Sequence, residues 1–295
     1  IAEDGMLIAG CEQMDVFVES SSAIIPGAAF VMRALDNGKH VNLMNAEIDL
    51  IFGPWFARRA REQGVICTSC DGDQHTVLRS LIEDLTFWGF ELVMAGNVKG
   101  FLGRYADPTS IIPEADKRRL DYKMCTAYTD GTKLCIEMAI IANMLKLRTE
   151  KPGMTGPRAG HVDEVTGLFD FDRIRAEGGA TVDYVLGAKP GGGVYAVGYH
   201  DQPFQKFMMD YYKMGPGPYY TFYRPYHLCH VECIASVVQP AVDGDGLLML
   251  DGGFSTNVFS YAKKPLKAGE TLDGIGGYAC YGLIENTPGG KHDGL

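Results

Sequence analysis

Asp130 and Lys133 stand three residues apart in Thr129-Asp-Gly-Thr-Lys-Leu134, where a segment that reads as helix to about Leu145 begins. Helical spacing would put both side chains on one face, with Glu137 one turn further along it. When a carbonyl gains a hydride its oxygen becomes negative, and a lysine beside a carboxylate can polarise that oxygen or pass it a proton. An ordinary surface ion pair accounts for the same spacing, and the residue types alone leave both readings open. Lys99 lies in Gly96-Asn-Val-Lys-Gly100, directly after a strand pattern. Carboxyl ends of strands are where α/β proteins collect ligands, so a lysine there suits an anionic group; a solvated loop lysine is the alternative.

A third cluster is the aromatic run Tyr211, Tyr212, Tyr219, Tyr220, Phe222, Tyr223 and Tyr226, with Arg224 just ahead of His227. It reads as core or as the interface of a homo-oligomer, and Arg224 with His227 could clamp a carboxylate or phosphate. His227, Cys229, His230 and Cys233 carry zinc-binding groups, but four ligands within seven residues would point around a helix, so no metal site is expected. Cys67-Thr-Ser-Cys70 has no second pair to complete a zinc site and reads as structural.

These residues need a frame. Asp15-Val-Phe-Val-Glu-Ser20 is a strand pattern, followed by a helix from about Pro26, a strand near His40–Asn45, a helix over Pro54–Gln63 and a strand over Val65–Thr68. Alternation of this kind predicts parallel pairing in a doubly wound sheet. No G-x-G-x-x-G turn precedes Asp15, so this segment is expected to be the C-terminal half of a Rossmann-type sheet. Next come a helix over Gln74–Trp88 and strands at Glu91–Ala95, Asp183–Ala188 and Val194–Gly198, the last two bracketing Lys189-Pro-Gly-Gly-Gly193. A helix over 227–239, with Pro225 near its start and Pro240 at its end, precedes Asp243-Gly-Asp-Gly246 and short strands at Val258–Ala262 and Tyr278–Ile284. The run Pro288–Leu295 stops without a closing strand or helix. The expected class is α/β, divided into 1–72, an α+β segment over 73–240, and 241–295.

Composition narrows the function further. Lysine and arginine number 27 against 37 acidic residues, a formal charge of −10, so neither nucleic acid nor an anionic membrane is an expected partner. No apolar run approaches the length of a membrane span. Eight cysteines scattered through apolar segments suit reduced thiols in a cytoplasmic protein. A small polar molecule is the expected ligand.

The motifs together resemble a known family. Ala34-Leu-Asp-Asn-Gly-Lys-His-Val41, Gly72-Asp-Gln74, Ala95-Gly-Asn-Val-Lys-Gly100, Thr129-Asp-Gly-Thr-Lys-Leu134, Gly191-Gly-Gly-Val194, Phe222-Tyr-Arg-Pro-Tyr-His-Leu-Cys-His230 and Leu272-Asp-Gly-Ile-Gly-Gly277 are similar to homoserine dehydrogenase-like oxidoreductases that carry a C-terminal SAF domain. The resemblance implies a partial NAD(P)-binding Rossmann domain over 1–72, a catalytic domain over 73–240 and a linker with a partial, β-clip-like SAF module over 241–295. It implies NADP or NAD as cofactor, with Glu19, Ser20, Ser21 and Asn45 at the strand ends that approach it. Lys133-Leu-Cys-Ile136 is similar to the K-L-x-I stretch of homoserine dehydrogenases, which implies catalytic roles for Lys133 and Asp130. Substrate contacts then fall to Lys99, Arg224 and His227. The chain departs from that pattern in two places: the aspartate stands three rather than four before the lysine, and Ala46-Glu47 follows Asn45 where those enzymes often have a lysine. The same superfamily has a 1-deoxy-D-xylulose 5-phosphate reductoisomerase-like branch, which implies a phosphorylated keto-sugar as an alternative substrate; a non-catalytic sugar-binding or regulatory SAF protein is the competing class.

Overall fold

The structure is a computed structural model and describes residues 3–249 and 252–287, so the expectation for Pro288–Leu295 lies outside the described residues. After a short α1 (Gly5–Ala9), strands β1 (Val16–Glu19), β2 (His40–Leu43) and β3 (Cys67–Ser69) pair in parallel in that order, joined by α2 (Ile25–Asp36) and α3 (Ala46–Gln63). Gly27, Ala28, Val31, Ala34 and Leu35 recur at helical spacing and give α2 its buried stripe against Phe17, Val41 and Leu43. Helix α3 begins eight residues before the expected Pro54. The Asn45 side chain caps it by accepting from Ile48 N at 3.3 Å, and Glu47 and Asp49 in the first turn complement the helix dipole, while Pro54 sits inside.

Helix α4 (Gln74–Phe87) leads into β4 (Glu91–Lys99), then α5 (Ile112–Arg118), α6 (Tyr122–Asp130), α7 (Thr132–Leu145), α8 (Phe171–Ala176) and β5 (Thr181–Leu186). Strand β6 (Val194–Tyr199), α9 (Pro203–Tyr211), β7 (Tyr219–Arg224) and α10 (Cys229–Val242) follow. The second sheet runs β5-β4-β6-β7, with β4 parallel to β5 and antiparallel to β6. The two strands around the glycine-rich loop are therefore not neighbours, because the loop passes across the end of β4, with Gly187 N donating to Lys99 O at 2.7 Å and Val98 N to Gly193 O at 3.0 Å. Gly96 allows the close packing of β4 and β6: a Cβ there would lie 2.0 Å from the Tyr195 ring.

Helix α7 is the centre of the molecule. Every residue from Thr132 to Asn143 is buried, as befits a helix that is apolar nearly all round. The hairpin-like pair β8 (Thr256–Ala262) and β9 (Cys280–Asn286) closes over it, and Leu248, Leu283 and Ile284 share one core with α4 and α7. Helix α10 starts at Cys229, since Arg224 belongs to β7, and continues through Pro240. It is pinned to the first sheet by Ser236 Oγ, which accepts from Asn42 Nδ2 at 2.9 Å and from Asp71 N at 2.8 Å. The architecture is mixed α/β, with a Rossmann-like parallel sheet beside a mixed one. Among the described residues, no helix is long and apolar enough to cross a membrane.

Candidate active site

Lys133 lies in the first turn of α7, 7% exposed, and its Nζ donates to both carboxylate oxygens of Glu47, at 3.2 and 3.3 Å. Glu47 belongs to the first turn of α3, two residues past Asn45, so this buried ion pair joins the Rossmann-like sheet to the central helix. The expected partner, Asp130, faces elsewhere. Its Oδ1 accepts from Thr132 N at 2.9 Å, and Oδ2 lies 2.8 Å from Lys263 Nζ at an angle outside hydrogen-bond geometry. The reason is Gly131: it ends α6 and opens α7 in the left-handed region at φ +86°, so Asp130 and Lys133 are on different helices and the one-face spacing does not apply.

Lys133 opens into a cavity of about 640 Å³ between the ends of both sheets, whose lining includes Met44, Asp73, Lys99, Glu137 and His227. Lys99 is the last residue of β4, as its strand-end placement predicts. Its Nζ donates to Gln74 Oε1 at 3.1 Å, Asn97 Nδ2 donates to the same oxygen, and Gln74 Nε2 is 3.1 Å from His227 Nε2. His227 Nδ1 is 3.3 Å from Gly72 O. A carbonyl only accepts, so the proton sits on Nδ1, and Nε2 accepts from the Gln74 amide. Lys99 and His227 are thus tied together through Gln74, on the cavity wall.

Arg224 does not join them. It pairs with Glu232 and lies 4.9 Å over the Tyr226 ring, outside the cavity lining, because it is the last residue of β7 and the chain then turns into α10. Glu19, Ser21 and Asn45 form their own network at the carboxyl end of the first sheet: Glu19 Oε1 accepts from Ser21 N at 3.1 Å and from Ser21 Oγ, and Asn45 Nδ2 donates to Ser21 O at 2.8 Å. Glu19 Oε2 is buried without a hydrogen-bond partner in the structure. Ser20 is exposed. None of the four lines the large cavity, which meets this sheet at Met44, one residue before Asn45.

The electrostatics separate the groups. Burial alone would push the Lys133 ammonium down, but Glu47, Glu137 and Asp73 outweigh it and hold the lysine above its ordinary range. Burial, then repulsion from Asp73, raises Glu137 to about 7 despite Lys99 and Lys133. Burial likewise raises Asp49 to about 7, against the opposing hydrogen bond from Ser69. Lys99 is lowered, chiefly by burial, with Glu137 and Asp73 opposing. Asp73 is lowered although burial works the other way, because His75, Lys133 and the Gln74 N–H favour its charge. His227 is lowered by burial, in keeping with its neutral tautomer. The site therefore holds a firmly charged lysine beside a carboxyl group poised near neutrality.

Sequence context assigns no site role to Glu47, Asp73 or Gln74; the visible signals are the Gly72-Asp-Gln74 motif and the position of Glu47 where homoserine dehydrogenases often carry a lysine.

The family model for the catalytic domain of oxidoreductase DRL matches residues 72–233, more than half of the chain. The chain belongs to this oxidoreductase family. The matched span contains Lys99, Lys133, Glu137 and His227. Among solved structures the chain is similar to a probable dehydrogenase from Thermotoga maritima, at 10% identity and a TM-score of 0.45, covering 83% of this chain and 74% of that one. It is also similar to YvaA of Bacillus subtilis, described as an oxidoreductase, at 10% identity and a TM-score of 0.37, covering 85% and 78%. No curated protein matches the chain.

Proposed function

We propose that the chain works with NADP or NAD as an oxidoreductase on a small polar hydroxy or oxo compound, with chemistry like that of homoserine dehydrogenases. The observation that carries this reading is the buried Lys133–Glu47 pair at the junction of the Rossmann-like sheet, the central helix and the large cavity. The residues present fit a nicotinamide: Glu19 Oε2 is a buried acceptor at a strand end, suited to an amide N–H, and Ser21 and Asn45 hold the loop around it. When bound, that group would supply or take up the hydride.

The chain's own residues would do the rest. Lys133, held charged and oriented by Glu47, would polarise the substrate oxygen and stabilise the negative charge that develops there. A lysine held above its ordinary range is a poor proton relay at neutral pH, so the proton would pass through Glu137. Asp130, paired with Lys263, would fix the start of α7 rather than touch substrate. Lys99 and His227 would bind the polar end of the substrate. That they converge with Arg118 and His230 on one cavity supports the second reading, a phosphorylated keto-sugar as in the reductoisomerase-like branch.

The test is thermal denaturation, with NADPH or NADH, of the full-length protein carrying a whole Rossmann domain, followed by a screen of hydroxy acids, amino alcohols and sugar phosphates read by nicotinamide absorbance. At one hundred times Kd a ligand adds about 2.7 kcal/mol of stability, a clear shift in Tm. No shift with either nucleotide at millimolar concentration would refute the cofactor assignment.

A further inference from the structure

Cys70 follows β3 directly and is fully buried, while Cys229 is the first residue of α10 and lines the large cavity. Their sulfurs lie 3.9 Å apart. The backbones are already in contact: a Cβ on Gly72 would stand 2.6 Å from Cys229 Cα. We propose that Cys70 and Cys229 are a thiol-oxidation site, in which a hydroperoxide entering the cavity converts the pair to a reversible disulfide.

The chemistry balances. The Cys229 thiolate attacks one peroxide oxygen, the O–O bond breaks, and the departing oxygen leaves as water or an alcohol after taking up a proton. Cys229 is now a sulfenic acid. The Cys70 sulfur attacks the Cys229 sulfur, the S–S bond forms, and hydroxide leaves with the Cys70 proton as water. The sulfur pair loses two electrons and the peroxide gains them; an added dithiol reverses the change.

Position assigns the roles. Cys229 faces the cavity at the N-terminus of a helix, where the dipole and unpaired N–H groups favour a thiolate. Hydrogen bonding with Cys70 lowers the Cys229 thiol, and the same contact, with burial, raises Cys70. Cys229 is thus the thiol exposed to oxidant, and Cys70 resolves it from behind. A disulfide bond of about 2.05 Å requires the sulfurs to close by roughly 2 Å, within reach of a rotamer change at half-buried Cys229. The bond would tie the loop that ends at Asp73, just ahead of α4, to the helix start that follows His227.

The proposal is independent of the substrate and is tested on the wild-type chain without an activity assay. After treatment with hydrogen peroxide and unfolding, two of the eight thiols should be lost to Ellman's reagent, with the mass falling by two hydrogen atoms and a proteolytic map joining Cys70 to Cys229. A dithiol should restore both thiols. In Cys70→Ser, dimedone should instead trap a sulfenic acid on Cys229, whereas Cys233→Ser should behave as wild type. Intact thiols under peroxide, or a map joining Cys70 to Cys233, would overturn the proposal.

Discussion

Lys133 and Glu47 are each buried, and each is the other's direct charge partner. Removing one partner of such a pair leaves an uncompensated charge, at about 3–5 kcal/mol. Lys133→Met should therefore lose both turnover and stability, and adding Glu47→Gln should restore much of the stability without restoring turnover. Urea unfolding of the two variants separates the effects; a double variant as unstable as the single one would mean that the lysine stem, not its charge, matters. Glu137 gives a pH signature. Its folded-state value near 7 lies above the ordinary 4.5, so between those values the folded chain keeps a proton that the unfolded chain has released. Stability must fall as pH rises through that window, by up to about 3 kcal/mol for this group. Glu137→Gln should match wild type near pH 5 and exceed it near pH 8, and it should remove the inflection near neutrality from the rate profile. Asp49 acts with the same sign, so part of the slope should survive in the variant. Sequence made Lys133 and Lys99 visible, because a motif or a strand end marks each. It could not show the Lys133–Glu47 pair, since 86 residues separate the partners and only tertiary packing joins them.

At the level of elements, the alternating strands and helices of the first sheet were readable from pattern, and the errors have local causes. Pro54 reads as a helix start, yet the cap at Asn45 outweighs one proline. Gly131 looked like helix interior, yet its left-handed conformation splits α6 from α7 and redirects Asp130. The pairing of β4 between β5 and β6 was not legible, because strand order depends on where a loop crosses rather than on the strands' own composition. What holds the last two strands on α7 is also invisible in sequence. Asn143 Oδ1 accepts from Thr256 N at 2.8 Å, from Thr256 Oγ1 at 3.1 Å and from Ser255 Oγ at 3.3 Å, all at the buried end of α7. Asn143→Ala should orphan the Thr256 N–H and cost about 2–3 kcal/mol. Hydrogen exchange should show β8 opening ahead of β4; equal protection of β8 in variant and wild type would show that apolar packing alone holds the strand.

Across the whole molecule, the three sequence segments are joined by buried contacts rather than set side by side. Lys133–Glu47 crosses from the central helix to the first sheet, Ser236 ties α10 to β2 and the loop after β3, and Lys263 reaches Asp130 from beyond β8. Leu283 and Ile284 complete the core of α4 and α7 instead of forming one of their own. A module that shares its core with its neighbour has no independent stability to express, and the buried ion pair and Ser236 tie the first sheet, which has a core of its own, to the rest, so the chain should unfold in one cooperative step. The two tryptophans report on different regions: Trp55 lies in α3 beside the first sheet, and Trp88 packs 5.9 Å from Phe222 of the second. Both are about half exposed, so Trp55→Phe and Trp88→Phe should cost little and leave one reporter each. Their fluorescence curves in urea should superimpose on each other and on the circular dichroism curve. Separate midpoints would mean that the Rossmann-like segment folds without the rest, and that the Lys133–Glu47 pair forms only after two finished units dock.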